Sequence, residues 1–208
     1  MRSKIDIEGW ARKDHFNFFN KFDEPFYGAT VEIDCTNAYQ VAKEQGVSFF
    51  LYYLYQSLAA AQIIEAFRLR VINDEVFLYD RIDGGSTIGR PDGTFGFGDF
   101  IYHPTFETFH SEALKVVEEV QNEPGLQFSP AENVIRYSAL PWINFTSLSH
   151  ARMFAFKDSC PKISFGKMSQ SSGRRTMPVS IHVHHALVDG IDLGRYIDCY
   201  QERMKKPF

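Results

Sequence analysis

Val179-Ser180-Ile181-His182-Val183-His184-His185-Ala186-Leu187-Val188-Asp189-Gly190 alternates apolar and polar residues up to a histidine pair and then breaks into a turn. Side chains along a strand point alternately to two faces, so Val179, Ile181, Val183 and His185 share one face, and Ser180, His182 and His184 the other. The spacing predicts a strand over Pro178 to His185, followed by a last helix of about residues 190 to 204. His185 ends the apolar row just before the turn, where an imidazole is held rigidly and partly screened from water. That placement suits a general base, since its ordinary pKa lies near about 6.5, and it equally suits a hydrogen-bonded core histidine. His182 and His184, two apart on one face, have no nearby Cys or Glu to complete a tetrahedral set, so no metal is expected.

Working outward, helical spacing of Trp10, His15, Phe16 and Phe19 predicts an opening helix near residues 8 to 20, and Phe26 to Asp34 reads as a strand. Asn37 to Gln45 reads as a helix closed by Gly46. Ser48 caps a long apolar helix running to about Ala66. Arg68 to Ile72 and Val76 to Tyr79 flank the turn pair Asn73-Asp74 as a hairpin. Gly84-Gly85, Gly89 and Pro91-Asp92-Gly93 form the most turn-rich stretch. Thr94 to Tyr102 follows as a strand, and Thr105 to Glu123 as an amphipathic helix. Extended runs are then expected at Val134 to Ala139, Ile143 to Ser147, around Phe154, and at Lys162 to Met168. Helices and strands interspersed without regular βαβ alternation predict an α/β (α+β) two-layer sandwich, a mixed sheet covered by helices on one face.

The 208 residues, 44% hydrophobic and 23% charged, fit one domain over residues 1 to 208 with a sizeable core. The net charge of −4 lacks the basic footprint of a nucleic-acid binder. Cys35, Cys160 and Cys199 are an odd number without CxxC spacing, which argues against a disulfide framework and a thiolate zinc site. No cysteine sits in a recognisable nucleophile context. The charged N-terminus has no apolar signal region, and Phe49 to Ala61 is shorter than a membrane span. The expectation is a cytoplasmic protein with no membrane partner. Twenty Phe and ten Tyr suit either a core or an aromatic-lined pocket.

His184-His185-Ala186-Leu187-Val188-Asp189-Gly190 matches the HHxxxDG signature of the chloramphenicol acetyltransferases, shared with the acyltransferase cores of the 2-oxo-acid dehydrogenase complexes. Trp10-Ala11-Arg12-Lys13-Asp14-His15-Phe16 is similar to that family's opening helix, and Ser138-Ala139-Leu140-Pro141-Trp142-Ile143-Asn144-Phe145-Thr146-Ser147 to its central segment. The chain therefore resembles the chloramphenicol acetyltransferase family over nearly its whole length. The resemblance implies direct transfer of acetyl from acetyl-CoA to a hydroxyl of chloramphenicol, an antibiotic-inactivating reaction, with no acyl-enzyme and no metal. In it His185 is the general base, and Ser147, beside the acetyl-CoA thioester, donates a hydrogen bond to the oxyanion. Asp189 braces the site through an ion pair with Arg12; without the resemblance it reads as a turn or cap residue. Phe18 and Phe19 line the acceptor pocket, Ser164 assists the transition state through water, and Lys167 lies near the coenzyme A nucleotide. The resemblance also implies a homotrimer with active sites at subunit interfaces, His185 being supplied across the interface.

The chain departs from the family pattern at three places. Ile191-Asp192 stands where the family has an aromatic and a histidine, His182 where it has glutamine, and bulky Phe97 where a smaller pocket residue is usual. These changes bear on the acceptor more than on acetyl transfer. The alternatives are the same chemistry on another hydroxyl acceptor, or a non-catalytic homologue that binds an aromatic ligand.

Overall fold

From the N-terminus, the computed structural model, which describes residues 1–206, runs β1 (Arg2–Lys4), α1 (Lys13–Phe19), β2 (Phe26–Asp34), α2 (Thr36–Gln45), α3 (Phe49–Ile63), α4 (Glu65–Arg68), β3 (Leu69–Ile72) and β4 (Glu75–Tyr79). It continues through β5 (Asp83–Gly89), β6 (Phe95–Phe100), α5 (Phe106–Asn122), β7 (Val134–Ala139), β8 (Lys162–Phe165), β9 (Ser169–Ser171), β10 (Arg174–His184) and α6 (Gly190–Lys205). The main sheet has the order β2-β10-β8-β7-β5-β6, with β9 paired to β10. It is mixed: β5, β7 and β8 run parallel, and the remaining pairs are antiparallel. β1, β4 and β3 form a small antiparallel sheet, closed at Asn73 and Asp74, whose positive φ angles of 53° and 61° are those of a tight hairpin turn.

Helices cover one face of the main sheet, the two-layer arrangement expected from the sequence. The apolar row of β10, Val179, Ile181 and Val183, is fully buried and is continued across the sheet by Ile163 and Phe165 of β8. The layer above is α3, whose residues Leu51 to Ala61 are buried all round, the reason its sequence shows no polar face. Phe165 meets the rings of Tyr53, Tyr137 and Tyr200. The hydroxyl of Ser57, inside α3, lies 3.1 Å from Tyr137 Oη and 2.5 Å from Tyr196 Oη, so these buried phenols are satisfied where α3, β7 and α6 meet. Ser48 accepts from Leu51 N at 3.4 Å and caps α3 as expected.

Several boundaries differ from the sequence expectation. The glycine-rich stretch at Gly84-Gly85 is no turn but the interior strand β5. Its bare backbone gives room to the next strand and to the layer above, since a Cβ on Gly84 would stand 3.3 Å from the Tyr137 ring of β7 and 3.7 Å from Leu58 of α3. Ile143 to Ser147 is a loop and not a strand. It is pinned where Lys167 N donates to Ile143 O at 2.8 Å, an approach that Gly166 permits because a Cβ there would lie 2.9 Å from that same oxygen. The segment around Phe154 is also loop, folded by a turn from Phe156 N to Met153 O. The opening helix begins at Lys13, after a turn at Ile7 to Trp10, and the long helix ends at Ile63, where Ile64 is extended. The strand expected to reach Met168 stops at Phe165, and β10 starts at Arg174 and ends at His184, one residue short of His185.

Candidate active site

β10 and β2 pair over nine register positions, ending with His184 opposite Phe26. One further bond, His185 N to Pro25 O at 2.9 Å, seats the backbone of His185 beyond the strand. The side chain thus leaves the apolar row and stands in the turn, 33% exposed. His184 is its opposite: buried, with its pKa pushed down to about 4 chiefly by burial, it is a neutral ring whose Nδ1 accepts from Ala186 N at 3.3 Å. The first histidine therefore builds the turn that projects the second.

The imidazole of His185 lies flat on Phe19, with centroids 3.9 Å apart and planes at 9°, and Tyr27 flanks it at 4.4 Å. Its Nδ1 is enclosed, 3.5 Å from Asp189 Oδ1, an electrostatic contact too long and poorly aligned for a hydrogen bond. Nε2 is then the nitrogen left to the open side of the ring.

Asp189 caps the start of α6, and its backbone N–H donates to Asp192 Oδ2 at 3.4 Å. Its carboxylate takes both terminal nitrogens of Arg12: Nη1 reaches Oδ2, and Nη2 reaches Oδ1 at 3.1 Å. Nη2 also donates to the carbonyl oxygen of His185 at 3.2 Å. One guanidinium at the head of α1 thus holds the helix that follows the histidine and the backbone of the histidine itself. The Arg12 hydrogen bond keeps the Asp189 carboxyl below the ordinary range, so Asp189 is a carboxylate at neutral pH.

The other residues singled out from the sequence lie elsewhere. Phe18 is 60% exposed, edge-on to Phe19 and Phe22 at 5.0 and 5.1 Å. Ser164 is fully buried on β8 opposite Ser180, and its hydroxyl has no partner among the described residues. Ser147 is exposed in the loop after β7, and Lys167 is exposed just past β8 without an ion pair among the described residues. Phe97 sits on β6 between Phe95 and Phe128, lining a cavity of about 330 Å³ with Arg90, Asp99 and Glu119. Four strand spacings separate β10 from β6, about 19 Å at roughly 4.8 Å each, so within one chain Phe97 is remote from His185.

His182 and His184 do not converge on a metal site, and no cluster of candidate metal ligands occurs among the described residues. His182 packs edge-on to His150 at 4.9 Å, and Gly28 opposite is the space for its ring, since a Cβ there would fall 2.5 Å from His182 Cδ2. Beside them the ring of Phe26 is gripped by Arg152 at 3.9 Å and Lys162 at 4.2 Å, cations paired with Glu24 and Asp158. The sequence reading missed Tyr27 and this charged girdle, and named Asp192 only as a departure from the family pattern. Tyr27 reaches His185 only through the β2–β10 register, which local pattern does not carry.

The family description "Chloramphenicol acetyltransferase" matches residues 2–201. "Chloramphenicol acetyltransferase 3" of Escherichia coli is 28% identical over 204 residues, 96% of this chain and 95% of that one. "Chloramphenicol acetyltransferase" of Bacillus pumilus is 28% identical, over 95% of this chain and 91% of that one. A solved "chloramphenicol acetyltransferase" superposes with a TM-score of 0.90 at 36% identity, covering 99% of this chain and 100% of that one. A probable dihydrolipoamide acetyltransferase from Listeria monocytogenes superposes at TM-score 0.67 and 12% identity, over 92% and 88% of the two chains, and shares the fold.

Proposed function

Since the chain belongs to the chloramphenicol acetyltransferase family and is an acyltransferase, we propose that it moves acetyl from acetyl-CoA directly onto a hydroxyl of chloramphenicol, with His185 as general base. The observation that carries this reading is the His185 ring itself, clamped between Phe19 and Tyr27, with its backbone tied to Arg12 and one nitrogen turned outward. An acceptor hydroxyl is a weak nucleophile until its proton is removed. Nε2 takes that proton as the oxygen attacks the thioester carbonyl, a contribution of about 10²- to 10⁴-fold. Ser147 donates to the oxyanion that forms, where loss of one donor costs about 10²- to 10³-fold. Arg12 and Asp189 hold the turn, Ser164 assists the oxyanion through water, and the exposed ammonium of Lys167 meets the coenzyme A phosphates. Phe18, Phe19 and Phe97 line the acceptor pocket.

The reading includes a trimer that brings the Ser147, Ser164 and Phe97 side of one subunit to the His185 of the next. Two observations support it: the separation of about 19 Å across the sheet that parts Phe97 on β6 from β10, and the exposed apolar side chains Phe18, Trp142, Phe154, Phe156 and Ile191. Thiol release from acetyl-CoA in the presence of chloramphenicol, measured beside the His185→Ala variant, tests it. Turnover abolished by the variant is expected; a variant that keeps wild-type turnover overturns the assignment. The charged girdle of Lys162, Asp158 and Arg152 on the sheet face that carries Ser164 favours a second reading, a more polar hydroxyl acceptor. A panel of acceptors compared by kcat/KM separates the two.

A further inference from the structure

Tyr27 carries a polar atom that no role above uses. Its ring flanks the imidazole of His185 at 4.4 Å, and its hydroxyl is buried without a partner among the described residues. Two more enclosed polar atoms at the same place share that condition: His185 Nδ1, and Nε of Arg12, whose terminal nitrogens are taken by Asp189 and by the His185 carbonyl. A buried polar atom left unpaired costs free energy, so three of them in the contacting residues Tyr27, His185 and Arg12 call for a partner. Their chemistry is complementary to a single small molecule that both donates and accepts. Arg12 Nε–H only donates; Nδ1 donates whenever Nε2 is the free, basic nitrogen; a phenol oxygen accepts.

We propose that Tyr27 is a positioning residue for His185, acting through a water held between Tyr27 Oη, Arg12 Nε and His185 Nδ1. The water accepts from Arg12 Nε–H and from Nδ1–H and donates to Tyr27 Oη and Asp189. With the phenol taking one of its hydrogens, a lone pair of the water faces Nδ1. The tautomer with hydrogen on Nδ1 is then favoured, and that is the tautomer whose Nε2 can receive a proton. The charged groups around the phenol are Asp189 and Asp192 at the head of α6 and Arg12 before α1, with His15 acting on Asp189 from α1. Burial first, and then the two carboxylates, push the Tyr27 hydroxyl up to about 12, so it stays a neutral phenol through the working pH range.

The inference rests on His185 being the base, and its test keeps the two apart. Wild type, Tyr27→Phe and His185→Ala are compared for kcat, KM and the pH profile of kcat/KM, with melting temperature and the side-chain nitrogen NMR shifts of His185. Tyr27→Phe removes only the oxygen. It is expected to lower kcat about tenfold with both KM values unchanged, to move the acidic limb of the profile, where the base is protonated, and to shift His185 toward the Nε2–H tautomer. Its melting temperature should fall slightly, because the water loses one of its acceptors; lost stability with an unshifted tautomer would mark a merely structural tyrosine. Wild-type kcat, profile and tautomer in Tyr27→Phe overturn the inference while His185→Ala remains inactive. An unchanged tautomer overturns it whatever the turnover, and an active His185→Ala removes the base and this inference with it.

Discussion

Replacing Asp189 by asparagine removes one charge and little else, since asparagine caps a helix about as well as aspartate. In the wild type the carboxylate takes both terminal nitrogens of Arg12, whose side chain is 18% exposed against 31% for Asp189. A pair about 3 to 4 Å apart near a protein surface is worth up to about 4 kcal/mol at an effective dielectric constant of about 20, before desolvation offsets part of it. With both groups retaining some solvent contact, a net loss of about 2 kcal/mol is expected in the variant, the larger share from leaving the guanidinium unpaired. In a chain of 208 residues that corresponds to about 4 to 8 °C in melting temperature. Arg12→Met alone should cost a similar amount, and the double variant little more than either single one, a coupling of about 1.5 kcal/mol or more in a urea-denaturation cycle. Turnover should fall about 10- to 100-fold in each single variant, because the turn that carries His185 loses its tether. Additive effects within about 0.5 kcal/mol, or full turnover in Asp189→Asn, would refute the argument that this ion pair holds the site together.

Gly28→Ala puts a methyl group 2.5 Å from the His182 ring and should destabilise by about 1 to 3 kcal/mol, a loss that the added replacement His182→Ala relieves; urea midpoints of the single and double variants check this. His184 and His150 are both held down to about 4 by burial first, with nearby cations adding to the effect, against an ordinary value of 6.5, so the folded state binds fewer protons than the unfolded chain between those values. Stability is then full above about pH 6.5, falls as the pH drops, and has lost its share near pH 4, about 2 kcal/mol per ring by pH 5. His184→Asn should flatten that slope in urea titrations at a series of pH values, and an equally steep slope would contradict it. Ser164→Ala removes a buried hydroxyl without a partner, so it should melt no lower than wild type while turnover drops, and an unchanged kcat would leave Ser164 without a role in the reaction.

The sequence announced most of the secondary structure wherever one periodicity ruled. The one-sided row Val179, Ile181, Val183 located β10, and the capped apolar run after Ser48 located α3. It misled where glycine stands in for close approach and not for a turn: Gly84 lies inside β5 because Tyr137 and Leu58 occupy the space a side chain would need. Ile143 to Ser147 has the residues of a strand, but its neighbours hold it by one backbone bond at Ile143 and no ladder. In the site, the motif located His185 and Asp189, and the resemblance paired Asp189 with Arg12. Tyr27, Arg152 and Lys162 stayed hidden because each reaches the histidines across strands, at contacts that depend on register and on a loop path that no local pattern encodes.

The clamp on the histidine turn joins residues 177 positions apart. At a synthesis rate of about 5 to 20 residues per second, Arg12 is made roughly 9 to 35 s before Asp189 exists. For that interval Arg12 carries an unmatched charge just ahead of a seven-residue helix that is too short to persist alone. The clamp is therefore assembled last, when two distant parts of the chain close on each other. Turnover reports completion of the whole fold, and two separately expressed halves should be inert until they recombine.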